Sequence, residues 1–307
     1  GRLPGTAGHE AARDLIEARF DDLGLAGLPS LDGFRHHYVD VTGTESANLI
    51  GVVRGERSDL APVLIGAHYD SVIPAPSADD NAAGVAVMLE VASRLASDPL
   101  RRDTLVVAFD TEEPPNFLGP GMGSNRLVED VLTDEVHLAV VLDLIGHPVT
   151  VPGLPLDPAA LFVAGAESHP SLPGLLAGLS LPLAATAQHR VGDFSDYAAF
   201  RLSGVPYLFF SGGEWEHYHR VSDHPDLMDY SKMARLALDL EQVLRRSDDA
   251  DTSYHSPHDC TEFEVATLES VLGAEALAAV AARLGRLGYD TAEDLDAIVP
   301  ALRGSLH

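Results

Sequence analysis

Short, nearly unbroken apolar runs recur along the chain at Asn48 to Val53, Val63 to Ala67, Thr104 to Phe109, His137 to Leu144, Leu161 to Ala164 and Tyr207 to Phe210, each bounded by Gly, Pro or charged residues. Runs of this length without polar alternation read as strands buried on both faces. Between several of them the period becomes helical, over Ala82 to Ala96, Ser124 to Leu132 and Tyr230 to Arg245. Strand and helix taking turns in this way predict an α/β fold, a mostly parallel central sheet flanked by helices.

A further helical pattern covers His9 to Leu23, with Leu15, Ile16, Ala18 and Phe20 mostly on one face and Gly24 placed to stop it. Two regions break the alternation. Pro148 to Pro182 reads as loops around one strand and one short helix, and the acidic stretch Ser247 to Thr252 reads as a linker. Beyond it, Phe263 to Leu287 is an Ala/Leu-rich helical pattern. The expected organisation is a main domain over residues 1–246 and a C-terminal helical extension over 247–307, packed on that domain or linked to it.

Composition narrows the function classes. The 307 residues are 46% hydrophobic, enough for a real core. Lys+Arg 20 against Asp+Glu 47 leaves a formal charge of −27, which repels phosphate backbones and anionic lipid, so nucleic acid is not an expected partner. Lys232 is the single lysine, and the acidic surface fits either high salt or a GC-rich coding bias. Cys260 stands alone, which rules out an intrachain disulfide and a thiolate metal cluster and leaves His and carboxylates as ligands for any metal. No apolar run approaches the ~18 residues of a membrane span. With Gly1 as first residue, a secreted or periplasmic site after loss of a leader and a cytoplasmic site both stay open.

In open α/β sheets the site forms outside the carboxyl ends of the strands, so polar residues that follow an apolar run are the candidates. Val63 to Ala67 delivers His68 and then Asp70, an imidazole with a carboxylate placed to take its other ring N–H, although a lone strand-end His also serves as a structural residue. Asp79-Asp80-Asn81 precedes a helix, where acids act as caps; two adjacent acids followed by Asn exceed that need. Thr104 to Phe109 leads into Asp110-Thr111-Glu112-Glu113, whose neighbouring carboxylates are either solvated or compensated by a cation. Asp143 falls inside an apolar run, where an unpaired carboxylate is costly. A set of imidazoles and carboxylates without thiolate suits Zn²⁺, with Co²⁺ or Mn²⁺ as substitutes.

These segments resemble, in order, the co-catalytic zinc aminopeptidases, whose relatives include glutamate carboxypeptidase and the single-zinc glutaminyl cyclases. The resemblance runs from about Gly1 to Arg245 and rests on Gly-Ala-His-Tyr-Asp-Ser, Ala-Asp-Asp-Asn-Ala-Ala-Gly, Thr-Glu-Glu-Pro-Pro, Leu-Asp-Leu-Ile-Gly and Tyr-His followed by Asp. The opening Gly-Arg-Leu-Pro-Gly-Thr-Ala-Gly-His-Glu is similar to its bacterial, leucyl aminopeptidase-like members. It implies a zinc-exopeptidase fold, a phosphorylase/hydrolase-like sandwich, in which residues 1–246 form the peptidase domain. It further implies two Zn²⁺ held by His68, Asp80 as bridge, Glu113, Asp143 and His219, with Glu112 as general base, Asp70 orienting His68, and a tight, often cis, turn at Asp80. The implied substrates are peptides with a free N-terminus; oligomeric state is left open.

The family's Tyr-His-Thr is Tyr218-His219-Arg220 here, and Tyr254-His255-Ser256 competes with it. His219 is preferred because it follows the run at Tyr207 and precedes the helix at Tyr230. Tyr218, Phe210 and Trp215, with Tyr207 and Phe209, are candidates to line a pocket for the substrate's first side chain. The rival functions are a glutaminyl cyclase with one zinc, a carboxypeptidase acting on acidic tails, against which the scarcity of Lys argues, and a protease-like binding domain with no catalysis.

Overall fold

All six apolar runs form strands, and two further strands join them. The computed structural model describes every residue except 133–135, 152, 155, 253–255 and 304–307. The strands are β1 (Arg35–Val39), β2 (Glu45–Val53), β3 (Val63–His68), β4 (Thr104–Phe109), β5 (Leu138–Leu142), β6 (Leu161–Ala164), β7 (Leu183–Thr186) and β8 (Tyr207–Ser211). They lie in one sheet in the order β1-β2-β4-β3-β5-β8-β6-β7. The centre, β4-β3-β5-β8, is parallel, while β1-β2, β2-β4 and β6-β8 pair antiparallel and β6-β7 pairs parallel. The sheet is thus mixed, with a parallel heart.

The helices are α1 (Ala7–Asp22), α2 (Gly84–Ser97), α3 (Gly123–Asp130), α4 (Leu172–Leu176), α5 (Gln188–Val191), α6 (Tyr197–Leu202), α7 (Tyr230–Asp249), α8 (Thr261–Leu272), α9 (Ala274–Arg283) and α10 (Ala292–Arg303). Side chains alternate across the parallel strands and feed two cores. Val63, Ile65, Val140, Leu142, Leu208 and Phe210 face α2 and α7, whose buried stripes include Val87, Met88, Val91, Leu236, Leu240 and Val243. Leu64, Val107, Phe109, Val141, Tyr207 and Phe209 face the other way, toward Leu127 of α3 and Phe200 of α6. Continuous apolar runs are what two covered faces require.

Lys232, on the core side of α7, is 1% exposed and donates from Nζ to the His147 carbonyl at 2.8 Å. Burial pushes its ammonium down to about 8, against the pull of Asp79. The folded state therefore sheds this proton before the unfolded chain does, and stability should rise as pH climbs from about 8 toward the ordinary lysine value of 10.5. We expect that gain to be missing from a Lys232→Met variant when urea unfolding of the two proteins is compared across this window. Identical pH slopes would contradict it.

In α1 the buried stripe is His9, Arg13, Ile16 and Phe20, while Leu15 is 72% exposed. The apolar pattern misplaced Leu15 because polar residues carry half of the buried face. His9 Nε2 lies 2.7 Å from Asp110 Oδ1, and Asp110 Oδ2 accepts from the Ala47 amide at 2.9 Å. Asp110 is consumed in docking α1.

The C-terminal helices cover the β7 edge. Thr267 Oγ1 and Glu264 Oε1 on α8 accept from the Ala185 and Ala187 amides at 2.9 and 2.6 Å, satisfying edge groups that would otherwise be open to pairing. Glu264 is also paired with Arg190 at 2.8 Å, and Leu268, Leu277, Leu295 and Ile298 form a separate small core. Among the described residues no single helix is long and apolar enough to cross a membrane, and the α8–α9 pair is bent by 107°.

Candidate metal centre

Five chain segments reach one point above the carboxyl ends of the parallel strands. His68 is the last residue of β3, Glu112 and Glu113 follow β4, Asp143 follows β5, and His219 comes from the loop after β8. Asp80 enters from an irregular helical turn over Ala78–Ala83 that leads into α2. The peptide bond between Asp80 and Asn81 is cis. Ser77, Thr111, Leu144 and His219 adopt left-handed backbone with φ of 48°, 55°, 54° and 55°. Each such residue costs roughly 1–3 kcal/mol and persists only where its surroundings enforce it; His219 is itself a candidate ligand, Leu144 adjoins Asp143, and Thr111 and Ser77 lie two and three positions before Glu113 and Asp80.

The ligand atoms form two groups that share one residue. His68 Nε2 is 3.3 Å from Asp80 Oδ1 and 3.5 Å from Asp143 Oδ1. His219 Nε2 is 3.1 Å from Asp80 Oδ2 and 3.1 Å from Glu113 Oε2. Asp80 therefore turns one oxygen to each group. Glu112 belongs to neither; its Oε2 stands 4.0 Å from His68 Nε2.

The donors fit a pair of cations better than they fit one another. His219 Nε2 and Asp143 Oδ1 are buried without a hydrogen-bond partner, although oxygens or nitrogens stand at contact distance. Burial pushes Glu113 up to about 7, with the Asp80 charge adding to it, and burial likewise raises Asp143. Burial works against a charged His219, yet Asp80 and Glu113 outweigh it and push the imidazole up to about 10. A cluster that holds protons this tightly carries more negative charge than it can keep bare, the condition that divalent cations relieve.

A second ring of groups fixes the ligands. Asp70 Oδ1 lies 3.4 Å from His68 Nδ1 without completing a hydrogen bond, and Asp70 accepts from the Glu112 and Glu113 amides at 3.1 and 3.2 Å. Asp79 accepts from the Gly146 and His147 amides at 2.6 and 3.0 Å, tying the Asp80 turn to the segment after Asp143. Asp223 accepts from the Asp79 and Asp80 amides. Arg2 donates to the carbonyls of Tyr69, Pro76, Ser77 and Asp80 at 2.6, 2.8, 3.0 and 3.2 Å, so the N-terminus clamps the loop between His68 and Asp80.

All seven residues expected to bind metal or assist catalysis thus meet at this point. His255, the competing ligand, lies outside the described residues. Of the expected pocket residues, Tyr218 stacks on His219 with ring centroids 3.8 Å apart. Phe210 is a correction: strand alternation points it into the α2/α7 core, opposite to Phe209. Trp215 is the second, since its ring stacks on His147 at 4.8 Å and packs against the same core. Tyr207 is 1% exposed and donates to Glu167.

Sequence reasoning passed over Asp196, fully buried with both carboxylate oxygens unpartnered and pushed up to about 8 by burial. It precedes the short helix α6, where an acid reads as an ordinary cap. Arg2 and Asp223 fall within motifs that the sequence singles out, but their roles are not legible there, because their partners lie 67 to 78 positions away for Arg2 and 143 to 144 for Asp223.

A model of Peptidase family M28 matches residues 48–278. A probable lipoprotein aminopeptidase of Mycobacterium tuberculosis, LpqL, is 33% identical over 171 residues, 50% of this chain and 32% of LpqL, so the chain spans about a third of that relative's length. A Zn-dependent exopeptidase from Parabacteroides distasonis is 17% identical with a TM-score of 0.61, over 81% of this chain and 92% of its own. A glutaminyl cyclase from Porphyromonas gingivalis is 20% identical with a TM-score of 0.62, over 80% and 92%. At these identities the two structures share the fold.

Proposed function

Because the chain belongs to peptidase family M28, we propose that it is a dinuclear zinc aminopeptidase, removing the N-terminal residue of peptides. The observation that carries this reading is Asp80, whose two oxygens serve two ligand groups, His68 with Asp143 and Glu113 with His219. Nitrogen and oxygen donors without thiolate suit Zn²⁺, and Co²⁺ or Mn²⁺ could substitute.

Zinc ions bound there would supply Lewis acidity, acidifying a water and polarising the scissile carbonyl. The protein's part is proton handling and positioning. Glu112 stands off both ligand groups, so its carboxylate is free to take a proton from the attacking water and return it to the leaving amine. Burial raises its pKa, which strengthens it as a base once ionised. Asp70 holds the backbone of Glu112 and Glu113 and thereby sets where both carboxylates point. The surplus of buried carboxylates also suits the positive α-amino group of an N-terminal residue.

A panel of aminoacyl chromogenic substrates tests the reading. We expect turnover that a chelator abolishes and zinc restores. A single-zinc glutaminyl cyclase is the second reading, favoured by the fold shared with the P. gingivalis enzyme. It would cyclise N-terminal glutaminyl peptides and leave the other substrates intact, while a non-catalytic binding domain would do neither.

A further inference from the structure

A cavity of about 280 Å³ opens beside Asp143 and Tyr218 and runs away from the ligands, under the β6–β8 end of the sheet, to the C-terminal helices. At ~30 Å³ per water it has room for roughly nine waters, enough for an aryl side chain. Phe162 and Phe209 line the sheet side and Phe194 comes from the loop before α6. The far wall is Leu268 of α8 with Val299 and Leu302 of α10. Arg303 closes it, with its guanidinium 3.8 Å from the centroid of the Phe194 ring and Nη1 donating to the Val191 carbonyl at 2.8 Å.

We propose that the C-terminal extension is a specificity element of this enzyme: α8 and α10 complete the pocket for the substrate's first side chain and select a large apolar, aromatic residue. The inference rests on the aminopeptidase reading. Two observations join the extension to the site. The cavity shares Asp143 with one ligand group, so a substrate whose carbonyl is held at the metals has its side chain at the pocket mouth. The far wall is also fixed rather than loosely apposed, since α8 is hydrogen-bonded to the β7 edge and Arg190 pairs with both Glu264 of α8 and Asp296 of α10. With a mostly apolar wall, to which Asp143 and Glu214 add carboxylates and Arg303 a guanidinium engaged on Phe194, the pocket favours aryl over acidic side chains.

The test compares kcat/KM for phenylalanyl, tryptophanyl, glutamyl and alanyl chromogenic substrates in the zinc-loaded protein. Wild type should favour phenylalanyl over alanyl by more than about tenfold, the scale of filling an apolar pocket. Val299→Trp, which fills the far end, should lower the phenylalanyl-to-alanyl ratio of kcat/KM by more than about tenfold. If Val299→Trp does not fold, Leu302→Ala carries the test by raising the tryptophanyl-to-phenylalanyl ratio. Preference for glutamyl in the wild type, equal loss on phenylalanyl and alanyl in a folded Val299→Trp, or an unchanged ratio in Leu302→Ala would overturn the inference. A wild type that turns over no aminoacyl substrate defeats the aminopeptidase reading instead.

Discussion

A Glu112→Gln variant should keep its full zinc content and lose kcat by a factor on the order of 10²–10⁴ or more, the scale of a missing general base. The expectation follows from where Glu112 stands. Its carboxylate is outside both ligand groups and 4.0 Å from His68 Nε2, so an amide of the same shape disturbs no ligand. Its backbone amide is held by Asp70, which the substitution leaves in place. Metal analysis and steady-state kinetics on the same preparation decide the matter. A variant with wild-type kcat would remove Glu112 from proton transfer, and one that loses zinc would make it a ligand.

Replacement of Asp80 by Ala should have the widest effect on the metals, because both ligand groups lose a member at once. We expect bound zinc to fall from two equivalents to one or fewer and kcat/KM to drop beyond the ~10–100-fold that loss of an outer partner costs at metal sites. Asp70→Asn supplies that milder comparison, since Asp70 contacts His68 from behind without joining either group. Equal effects of the two substitutions on zinc content would contradict the role given to Asp80.

Much of this site was legible in the sequence because of one local regularity. A buried strand must be apolar, so a polar residue at its carboxyl end stands out, and His68, Glu112, Glu113 and Asp143 all occupy such places. Asp80 could be found by its excess over what a helix cap needs. The mostly parallel sheet and its covering helices followed from the same runs, whereas the spatial order of the strands did not. What escaped notice depends on contacts between distant segments. β1 reads Arg-His-His-Tyr-Val, too polar for a run, and β7 is four residues at the sheet edge. Arg2 acts on backbone carbonyls across the loop from Tyr69 to Asp80, a role without any local pattern. Phe210 was misplaced because proximity to a strand end says nothing of face; one step of alternation separates it from Phe209, which does line the cavity. The far wall of that cavity comes from Leu268 of α8 and from α10, more than 120 positions beyond Asp143, and no short-range pattern links them.

The most direct measurement is anomalous diffraction at the zinc edge from crystals of the zinc-loaded protein. Two peaks are expected about 3.5–4 Å apart, one among His68, Asp80 and Asp143 and the other among Asp80, Glu113 and His219. A single peak with Asp80 bound through one oxygen, or zinc held away from these side chains, would contradict the shared centre.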